Sequence, residues 1–298
     1  MFLENIAVRP NSKLLLTSVL SPTLYTLDPT AANATLSKVY TFPNCSGLAG
    51  ISEYQPDVYV IIVSTNNLTT DSALPGTVSV WRLNLTSTSP IVKCVVFVPN
   101  STLLNRLSTV PGLPHTVLAA DSHLGAAYEI AMSTRGVAPH VAIQDAAMAP
   151  PPAIRINGLH VHNGQLYFTN SQQGPFAWVP LCIQDGLVTQ AGAVQILGSI
   201  EPAGAAVGHE FDNFPFDRGG RAWIAAHPGA LTLFYPLPKG TWVQQNAAGD
   251  PEGGTVTGVF NGPTSAAFGR GSIGEEEMLY VTTEGGQVVH VDTSGAYV

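Results

Sequence analysis

The chain has 298 residues, of which 45% are hydrophobic and only 11% are charged, with a formal net charge of −8. A chain of this length can form one or two domains with a large core. Its 12 Lys and Arg residues against 20 Asp and Glu residues argue against nucleic acid as a partner, since phosphate binding needs clustered cations. The longest apolar run, VYVIIV at 58–63, has strand length and falls far short of the ~20 residues of a membrane span.

One pattern occurs six times along the chain. In each occurrence a short strand meets a turn rich in Gly, Pro or Asn, and a hydrophobic β run and a small polar loop follow. The six stretches are AVRPNSKLLLTS (7–18), GISEYQPDVYVIIVSTN (50–66), STVPGLPHTVLAADSHLG (108–125), HVHNGQLYFTNSQQG (160–174), PFDRGGRAWIAAHPG (215–229) and AAFGRGSIGEEEMLYVTTEGG (266–286). Convincing amphipathic helix is absent, because β-branched and aromatic residues dominate and Gly and Pro interrupt the pattern often.

Short strands with a repeat of roughly 50 residues predict an all-β fold, a six-bladed β-propeller with four-stranded antiparallel blades around a central channel. Residues 1–298 would form a single propeller domain. A two-sheet sandwich is the alternative, but it would not need a sixfold recurrence.

Polar residues stand at equivalent points of the repeats, where the innermost strand of each blade should open onto one mouth of the channel. They are Glu4, Ser46, Asn105, Asn157, Asp212 and Thr264. The loops after the second strands should open on the same mouth and present Asn66, Asp121, His123, Ser171, Gln172, His227 and Glu284. Two such rings predict a funnel-shaped ligand pocket. Taken singly, a polar residue before a strand more often only satisfies loop backbone groups.

Asn-Gly occurs twice between residues 156 and 174. Asn163–Gly164 lies between two strand-like runs and predicts a tight hairpin turn at positive φ. Asn157–Gly158 begins a strand where no turn is needed, so Asn157 is predicted to face the channel mouth. His160 and His162 flank the hairpin and are interpreted as ordinary surface or turn histidines.

Five N-glycosylation sequons lie in the first third of the chain, at Asn33, Asn44, Asn67, Asn84 and Asn100. Their clustering in a chain with few charges predicts N-glycans at some of them. We therefore expect a secreted or secretory-pathway protein whose signal peptide has been removed.

Three cysteines, Cys45, Cys94 and Cys182, permit at most one intramolecular disulfide. Cys45–Cys94 is the expected pair because these two are nearest in sequence, and three buried thiols are the alternative. No C-x-x-C motif suggests a zinc site or a redox pair.

Four short phrases resemble the SMP-30/gluconolactonase/luciferin-regenerating family of six-bladed propellers. They are LENIAV (3–8), LLNRL (103–107), INGL (156–159) and FDNFPFDRGGRAWIA (211–225). The resemblance implies that Glu4, Asn157 and Asp212 match the family's metal ligands, and Asn105 the asparagine that helps to bind metal and substrate. Such an all-oxygen set suits Ca²⁺, Mg²⁺ or Mn²⁺, which would polarise a lactone carbonyl and activate a bound water. The chain departs from the family at Asn5-Ile6, Arg106-Leu107 and Asn213, where Gly-Pro, Asp-Gly and Gly are usual.

The ENIAVRPN…LLLT segment is similar to a fungal branch of this superfamily found with natural-product pathways. That branch includes hetero-Diels–Alderases, which join a tropolone-type o-quinone methide to a humulene-type sesquiterpene alkene. The resemblance implies a pericyclase for small apolar substrates, with no cofactor. A cycloaddition needs two reactants held in near-attack geometry and donors that polarise the heterodiene carbonyl. Asn105, Asn157, His123 and His227 are the predicted catalytic donors, and the remaining residues of the two rings are predicted to bind substrate.

Three functions therefore remain open. A pericyclase of fungal terpenoid biosynthesis is the first, a metal-dependent lactonase or esterase the second, and a non-enzymatic binding propeller the third. Other hydrolytic signatures are missing from the sequence, which contains no G-x-S-x-G elbow and no H-E-x-x-H.

Overall fold

The computed structural model describes residues 1–133, 137–149, 154–201, 208–253 and 259–297. These residues form six small antiparallel sheets that follow one another along the chain and stand in a ring. The predicted six-bladed β-propeller is confirmed. In the described residues, helix is limited to one turn at Ile273–Glu276 and a 3₁₀ turn at Ser294–Tyr297, and no helix there is long and apolar enough to cross a membrane.

The first three blades each contain four strands, and a small hairpin is inserted in the second. Blade 1 consists of β1 (Asn5–Val8), β2 (Leu14–Thr17), β3 (Thr23–Leu27) and β4 (Ser37–Thr41). Blade 2 consists of β5 (Gly47–Gln55), β6 (Val58–Ser64), β9 (Ser79–Asn84) and β10 (Ile91–Phe97), with the hairpin β7 (Asn66–Asn67) and β8 (Ser72–Ala73) after its second strand. Blade 3 consists of β11 (Leu104–Val110), β12 (Leu113–Asp121), β13 (Ala126–Ala131) and β14 (His140–Gln144).

The other three blades vary in strand number. Blade 4 has β15 (Ile156–His162), β16 (Gln165–Asn170), β17 (Pro175–Gln184), β18 (Leu187–Gln190) and β19 (Gln195–Ser199). Blade 5 has β20 (Ala222–Ala226), β21 (Ala230–Pro236) and β22 (Trp242–Gly249), and its inner position is taken by a segment bridged at Phe211 and Phe216. Blade 6 has β23 (Pro263–Phe268), β24 (Met278–Thr283) and β25 (Val288–Asp292).

The ring closes where the first blade meets the sixth. Strand β1 packs beside β23, and the backbone N–H of Leu3 donates to the carbonyl oxygen of Thr283 at 3.2 Å. The hydroxyl of Thr264 donates to the carbonyl oxygen of Leu3 at 2.7 Å. The start of the chain is therefore held against the last blade, which fixes the neighbouring Glu4 at the channel mouth.

Apolar side chains fill each of the six interfaces between neighbouring blades, so the core is a ring of six clusters. A blade is covered on both faces, and its second strand is therefore continuously hydrophobic. This explains VYVIIV, which forms β6 and is buried throughout. Burial of one large apolar side chain contributes about 1.5–3 kcal/mol.

Register shifts interrupt the inner strands close to one mouth of the channel. They lie between Leu48 and Ile51, Leu104 and Leu107, Ile156 and Leu159, and Pro263 and Ser265. A bulge breaks the regular alternation of side chains and re-aims them, and bulges are common beside functional sites. The side chains of consecutive residues such as Asn105 and Arg106 can therefore both lie near the centre of the ring.

The two Asn-Gly pairs have different structural roles. Asn163 and Gly164 have φ values of 49° and 74°, which confirms the predicted tight turn. Gly158 instead permits close packing, because a Cβ there would lie 2.8 Å from the carbonyl oxygen of Asp212 and from Oγ1 of Thr169. The absence of a side chain at Gly158 lets the fifth blade approach the fourth at the level of Asn157.

The three cysteines are free thiols, so the expected Cys45–Cys94 disulfide is not present. Cys45 donates its thiol to the carbonyl oxygen of Phe42 at 3.4 Å, and Cys94 lies on the outer strand β10, where it pairs with Trp81. The two side chains therefore have different neighbours and do not contact each other through a disulfide.

The sequon asparagines differ in exposure. Asn33, Asn44 and Asn100 are exposed, while Asn67 and Asn84 are half-buried. Glycosylation and secretion stay predictions.

Candidate functional site

A pocket of about 250 Å³ opens at the mouth where the inner strands begin. Blades 1 to 4 supply its large apolar side chains, and blades 5 and 6 supply much of its charge. The large apolar lining residues are Phe2, Val19, Leu20, Leu68, Val78, Leu103, Leu104 and Ile154. The ionisable lining residues are Glu4, Asp71, Glu210, Asp212, His227 and Glu284. The pocket is thus amphipathic, with an acidic lining beside its apolar walls.

Arg106 lies beneath the floor of this pocket and is the central structural feature of the site. Its side chain is only 1% exposed. Nη1 lies 3.0 Å from Oε1 of Glu4, and Nη2 lies 2.7 Å from Oδ1 of Asp212. Nη2 also donates to the carbonyl oxygen of Thr264 at 3.0 Å. One guanidinium therefore joins residues of the first, fifth and sixth blades.

A chain of hydrogen bonds orients the two asparagines on the floor. Nδ2 of Asn105 donates to Oδ1 of Asn157 at 2.8 Å, and Nδ2 of Asn157 donates to Oγ of Ser171 at 3.0 Å. The Ser171 hydroxyl donates in turn to the carbonyl oxygen of Phe211 at 2.9 Å. Each amide NH₂ group has two hydrogens, and each uses one here. The second N–H of each asparagine can therefore donate a hydrogen bond to a ligand.

Three ionisable groups at the pocket hold protons more tightly than usual, and for Glu210 the cause is burial, which raises its pKa. Burial raises the pKa of Glu4 to about 7, against the opposing charge of Arg106. For His227, burial lowers the pKa, but the hydrogen bond with Asp212 and the charges of Asp212, Glu284 and Glu210 outweigh it and raise the pKa above its ordinary value. Nε2 of His227 lies 3.6 Å from Oδ2 of Asp212. The imidazole of His227 therefore keeps its proton to a higher pH than an ordinary histidine does, because its raised pKa favours the charged form.

The hairpin formed by β7 and β8 makes one rim of the pocket and contributes Asn66, Asn67, Leu68 and Asp71 to the lining. Asn66 anchors it, because its Nδ2 donates to the carbonyl oxygen of Val19 at 2.8 Å and its backbone N–H donates to Oγ of Ser46 at 2.7 Å. The rest of the hairpin projects from this anchor, and Leu68 is exposed.

The structure brings about half of the predicted site residues together. Seven of the thirteen line the pocket: Glu4, Asn66, Asn105, Asn157, Asp212, His227 and Glu284. Six are not among its lining residues: Ser46, Asp121, His123, Ser171, Gln172 and Thr264.

Most of those six have local partners that account for their position. Asp121 accepts the backbone N–H groups of His123 and Leu124, and Nδ1 of His123 lies 3.1 Å from the hydroxyl of Thr102. The hydroxyl of Thr264 donates to the carbonyl oxygen of Leu3 and lies 3.0 Å from the hydroxyl of Thr282. These contacts are the ones expected of polar residues near strands that satisfy loop groups, and a role of these positions in the site stays a prediction.

Sequence reasoning missed Arg106, Asp71 and Glu210. In the sequence, Arg106 stands out only as a departure from a family motif. An arginine within the otherwise uncharged strand LNRLSTV is nevertheless a signal, because a buried cation requires anionic partners. Asp71 and Glu210 lie in loops, and no local pattern places them at the mouth.

The four oxygen-bearing residues Glu4, Asn105, Asn157 and Asp212 do lie together, but their contacts do not fit a divalent cation. One oxygen of each carboxylate accepts from Arg106, and Oδ1 of Asn157 accepts from Asn105. A guanidinium beside the same oxygens would also repel a cation. Among the described residues no group of three or more His, Cys, Asp or Glu side chains is arranged to hold a metal ion.

The fold and site define a six-bladed β-propeller with an amphipathic pocket at one channel mouth. No protein-family model matches the chain. It is 26% identical over 307 residues to a protein from Phoma sp named "Putative hetero-Diels-Alderase", covering 94% of this chain and 83% of that protein. It is 27% identical over 315 residues to "Putative hetero-Diels-Alderase asR5" of Sarocladium schorii, covering 94% and 75%.

Solved structures show the same fold at low sequence identity. The major allergen Mala s 1 of Malassezia sympodialis superposes with a TM-score of 0.65 at 11% identity, covering 97% of this chain and 92% of the allergen. A protein described as a putative gluconolactonase gives a TM-score of 0.58 at 14% identity, covering 97% and 90%. The resemblance expected from the sequence, to gluconolactonase-like propellers and to proteins named hetero-Diels–Alderases, is confirmed.

Proposed function

We propose that this protein is a hetero-Diels–Alderase that joins a tropolone-type o-quinone methide to a humulene-type alkene in the pocket at the channel mouth. The observation that carries the proposal is the pairing of Arg106 with both Glu4 and Asp212. This pairing engages both carboxylates with one cation, at the floor of a pocket that combines apolar walls with hydrogen-bond donors. The two similar proteins named as putative hetero-Diels–Alderases support the same activity.

The reaction forms one C–O and one C–C bond between the heterodiene and the alkene, and no atom leaves. Electron density moves from the alkene into the heterodiene, so negative charge develops on the carbonyl oxygen. The remaining N–H groups of Asn105 and Asn157 and the imidazolium of His227 are the donors that would stabilise this charge. The apolar residues of blades 1 to 4 would hold the alkene, and such orientation can contribute up to about 7–11 kcal/mol.

Arg106 would not contact the substrate, and its role would be to hold the residues of the pocket floor in place. Its two ion pairs fix the carboxylates of Glu4 and Asp212, and Asp212 in turn contacts His227. Arg106 is therefore a positioning residue, and His227 is the proposed catalytic donor.

The test is a trapping assay with stereochemical analysis. The o-quinone methide is generated in solution in the presence of humulene, with and without the purified protein, and the cycloadducts are resolved by chiral chromatography with mass detection. We expect one stereoisomer in excess, at a rate at least about tenfold above background, and no loss of rate after chelation. An identical product mixture with and without protein would contradict the proposal.

A metal-dependent lactonase or esterase is the second candidate, because Glu4, Asn105, Asn157 and Asp212 surround one pocket. It requires that a cation displace the guanidinium of Arg106 from the two carboxylates. It predicts hydrolysis of a lactone panel that chelation abolishes and Ca²⁺, Mg²⁺ or Mn²⁺ restores. A non-enzymatic binding propeller is the third, and it predicts that substitutions in the pocket alter stability without altering any rate.

We further propose that the protein passes through the secretory pathway and carries glycans at some of its sequons. Asn67 is informative because it lies in the hairpin at the pocket rim. Intact-mass analysis of protein from its native host, before and after glycosidase treatment, tests this, and a bare polypeptide mass would contradict it.

A further inference from the structure

A second cavity of about 180 Å³ lies at the opposite end of the channel. We call it the lower cavity. It is lined by residues further along the inner strands, where the strands approach the other mouth. Its main apolar walls are Ile6, Ile51, Leu107, Phe216 and Phe268, and its polar groups include His160 and Asn213.

The lower cavity is separate from the pocket described above. His160 lies three residues beyond Asn157 on β15, which places it roughly 10 Å deeper along the channel. Between the two levels lies the buried side chain of Arg106, and the strands there are tightly packed. A Cβ at Gly50, for example, would lie 3.1 Å from Cα of Arg106. No residue of the described ranges lines both cavities.

Asn213 supplies a buried acceptor without a partner. The residue is only 6% exposed, and its Nδ2 donates to Oγ of Ser265 at 2.9 Å. The Ser265 hydroxyl donates onward to Oδ1 of Asn5 at 2.8 Å, and that oxygen also accepts the backbone N–H of Ile6. Oδ1 of Asn213 has no hydrogen-bond partner within the described part of the chain. A buried acceptor of this kind is costly unless a ligand or water donates to it.

His160 supplies a second polar group. Its ring packs against Phe214, with 5.0 Å between the ring centroids. Burial, with the charge of Arg106 and then of His162, lowers the pKa of His160 to about 4. The imidazole is therefore neutral at pH 7 and offers one donor and one acceptor.

No unpaired charge faces this cavity among the described residues. Glu53 is the one ionised group in its lining, and its Oε2 lies 2.6 Å from Nη1 of Arg270. An ion would find no counter-charge there. Apolar walls with a few placed polar groups are instead typical of sites for neutral small molecules.

We propose that the lower cavity is a second binding site, for a neutral single-ring molecule that carries a hydroxyl or N–H donor, such as a phenol. The size supports this class, because an apolar cavity of about 150 Å³ is known to accommodate benzene. The neutral ring of His160, which lines the cavity, would accept from this donor. The unpartnered oxygen of Asn213 in the same wall has almost no exposed surface and would join the contact after a small shift of its side chain.

The test uses two fluorinated ligands and ¹⁹F NMR titration at pH 7. 4-Fluorophenol carries the donor, and 4-fluoroanisole has a methyl group in its place. We expect saturable binding of 4-fluorophenol that is about fivefold tighter than that of 4-fluoroanisole, the gain typical of one hydrogen bond. Equal affinities, or no saturable binding, would overturn the proposal.

Variants assign the binding to a cavity. Ser52→Leu should fill the lower cavity and abolish binding, and His160→Phe should remove the preference for the phenol. The matched control His227→Ala alters the pocket at the other mouth and should leave the titration unchanged. Circular dichroism shows whether each variant is folded. Binding lost in His227→Ala but kept in Ser52→Leu would place the ligand in the other pocket and refute the proposal.

Discussion

The guanidinium of Arg106 extends from the third blade to the fifth, where its Nη2 lies 2.7 Å from Oδ1 of Asp212. The same group contacts Glu4 of the first blade, so that one cation connects three alternate blades at the centre of the ring. Because each partner comes from a distant part of the sequence, these ion pairs form only when the ring has closed. The pairing is therefore a contact of the complete fold rather than of any one blade.

Removal of Arg106 should strongly destabilise the protein. Arg106→Met leaves two buried carboxylates without their cation, and breaking a buried pair in this way costs about 3–5 kcal/mol. Urea unfolding measures the loss. Lys93→Met, which removes an exposed cation on β10, is the control and should change stability by no more than about 0.5 kcal/mol.

A rescue experiment separates charge from packing. If the uncompensated carboxylates are the cause, Glu4→Gln and Asp212→Asn introduced together should restore part of the stability of Arg106→Met. A triple variant as unstable as Arg106→Met alone would mean that the guanidinium contributes mainly by filling space.

His227→Ala should lower the rate of the proposed cycloaddition by about tenfold or more, because it removes a charged donor from the pocket. The trapping assay measures the rate and the stereoisomer ratio. His290→Ala changes an exposed histidine on β25 and should leave both unchanged. Equal rates in all three proteins would exclude His227 as the donor.

Gly158→Ala should destabilise the folded protein much more than the addition of one methyl group suggests. The new methyl group would lie 2.8 Å from the backbone oxygen of Asp212, and overpacking of this kind costs about 1–3 kcal/mol. A methyl group at Gly274 would instead meet no atom of the described residues within 4 Å. Gly274→Ala is therefore a matched control that thermal unfolding should show to be neutral or stabilising.

His160 should make stability depend on pH. Its pKa is about 4 in the folded protein and about 6.5 in the unfolded chain, so the unfolded chain binds the proton more tightly. The stability that depends on neutral His160 is fully present above pH 6.5 and is lost as the pH falls through 6.5 towards 4. Between pH 7.5 and 4.5 the loss is at most about 2.5 kcal/mol, and contact of the half-buried ring with solvent reduces it.

Comparison with His160→Gln isolates this effect. The raised pKa of Glu4 acts in the opposite direction, because its stabilisation is lost as the pH rises from 4.5 through about 7. That effect is common to both proteins and cancels in the difference. A constant difference in unfolding free energy between wild type and variant across this range would contradict the assignment.

The cysteines should react at very different rates. Burial raises the pKa of Cys45 to about 11, so only about one molecule in a thousand carries this thiolate at pH 8. Cys182 is exposed. Iodoacetamide followed by peptide mass analysis should therefore show early modification of Cys182 and slow modification of Cys45. Resistance of Cys45 and Cys94 that disappears only after reduction would instead reveal a disulfide.

The fold was predictable because its signals are local and repeated. Each turn and each hydrophobic strand can be recognised within about ten residues, and their recurrence determines the architecture. The same repeats placed Asn157 and Asp212 at one mouth. They could not distinguish Thr264 from Asn157, because both stand at the same point of a repeat. The hydroxyl of Thr264 donates to a backbone carbonyl, whereas the amide of Asn157 lines the pocket.

The centre of the site was not predictable for a different reason. The family motif led to the interpretation of Glu4 and Asp212 as cation ligands, and the arginine two blades away that pairs with both was seen only as a substitution. His160 was interpreted as a surface or turn residue, yet it faces the lower cavity. Long-range pairing and the interior of the channel depend on the three-dimensional ring, and no local pattern encodes them.

The buried guanidinium of Arg106 also closes the inner end of the pocket at the channel mouth. Molecules cannot traverse the propeller along its axis, so entry and exit share one opening. For a reaction between two partners, the one that lies deeper must arrive first and cannot depart until the other has left or reacted. The proposed cycloaddition should accordingly follow an ordered kinetic mechanism, in which an excess of the outer partner slows turnover by blocking access of the inner one.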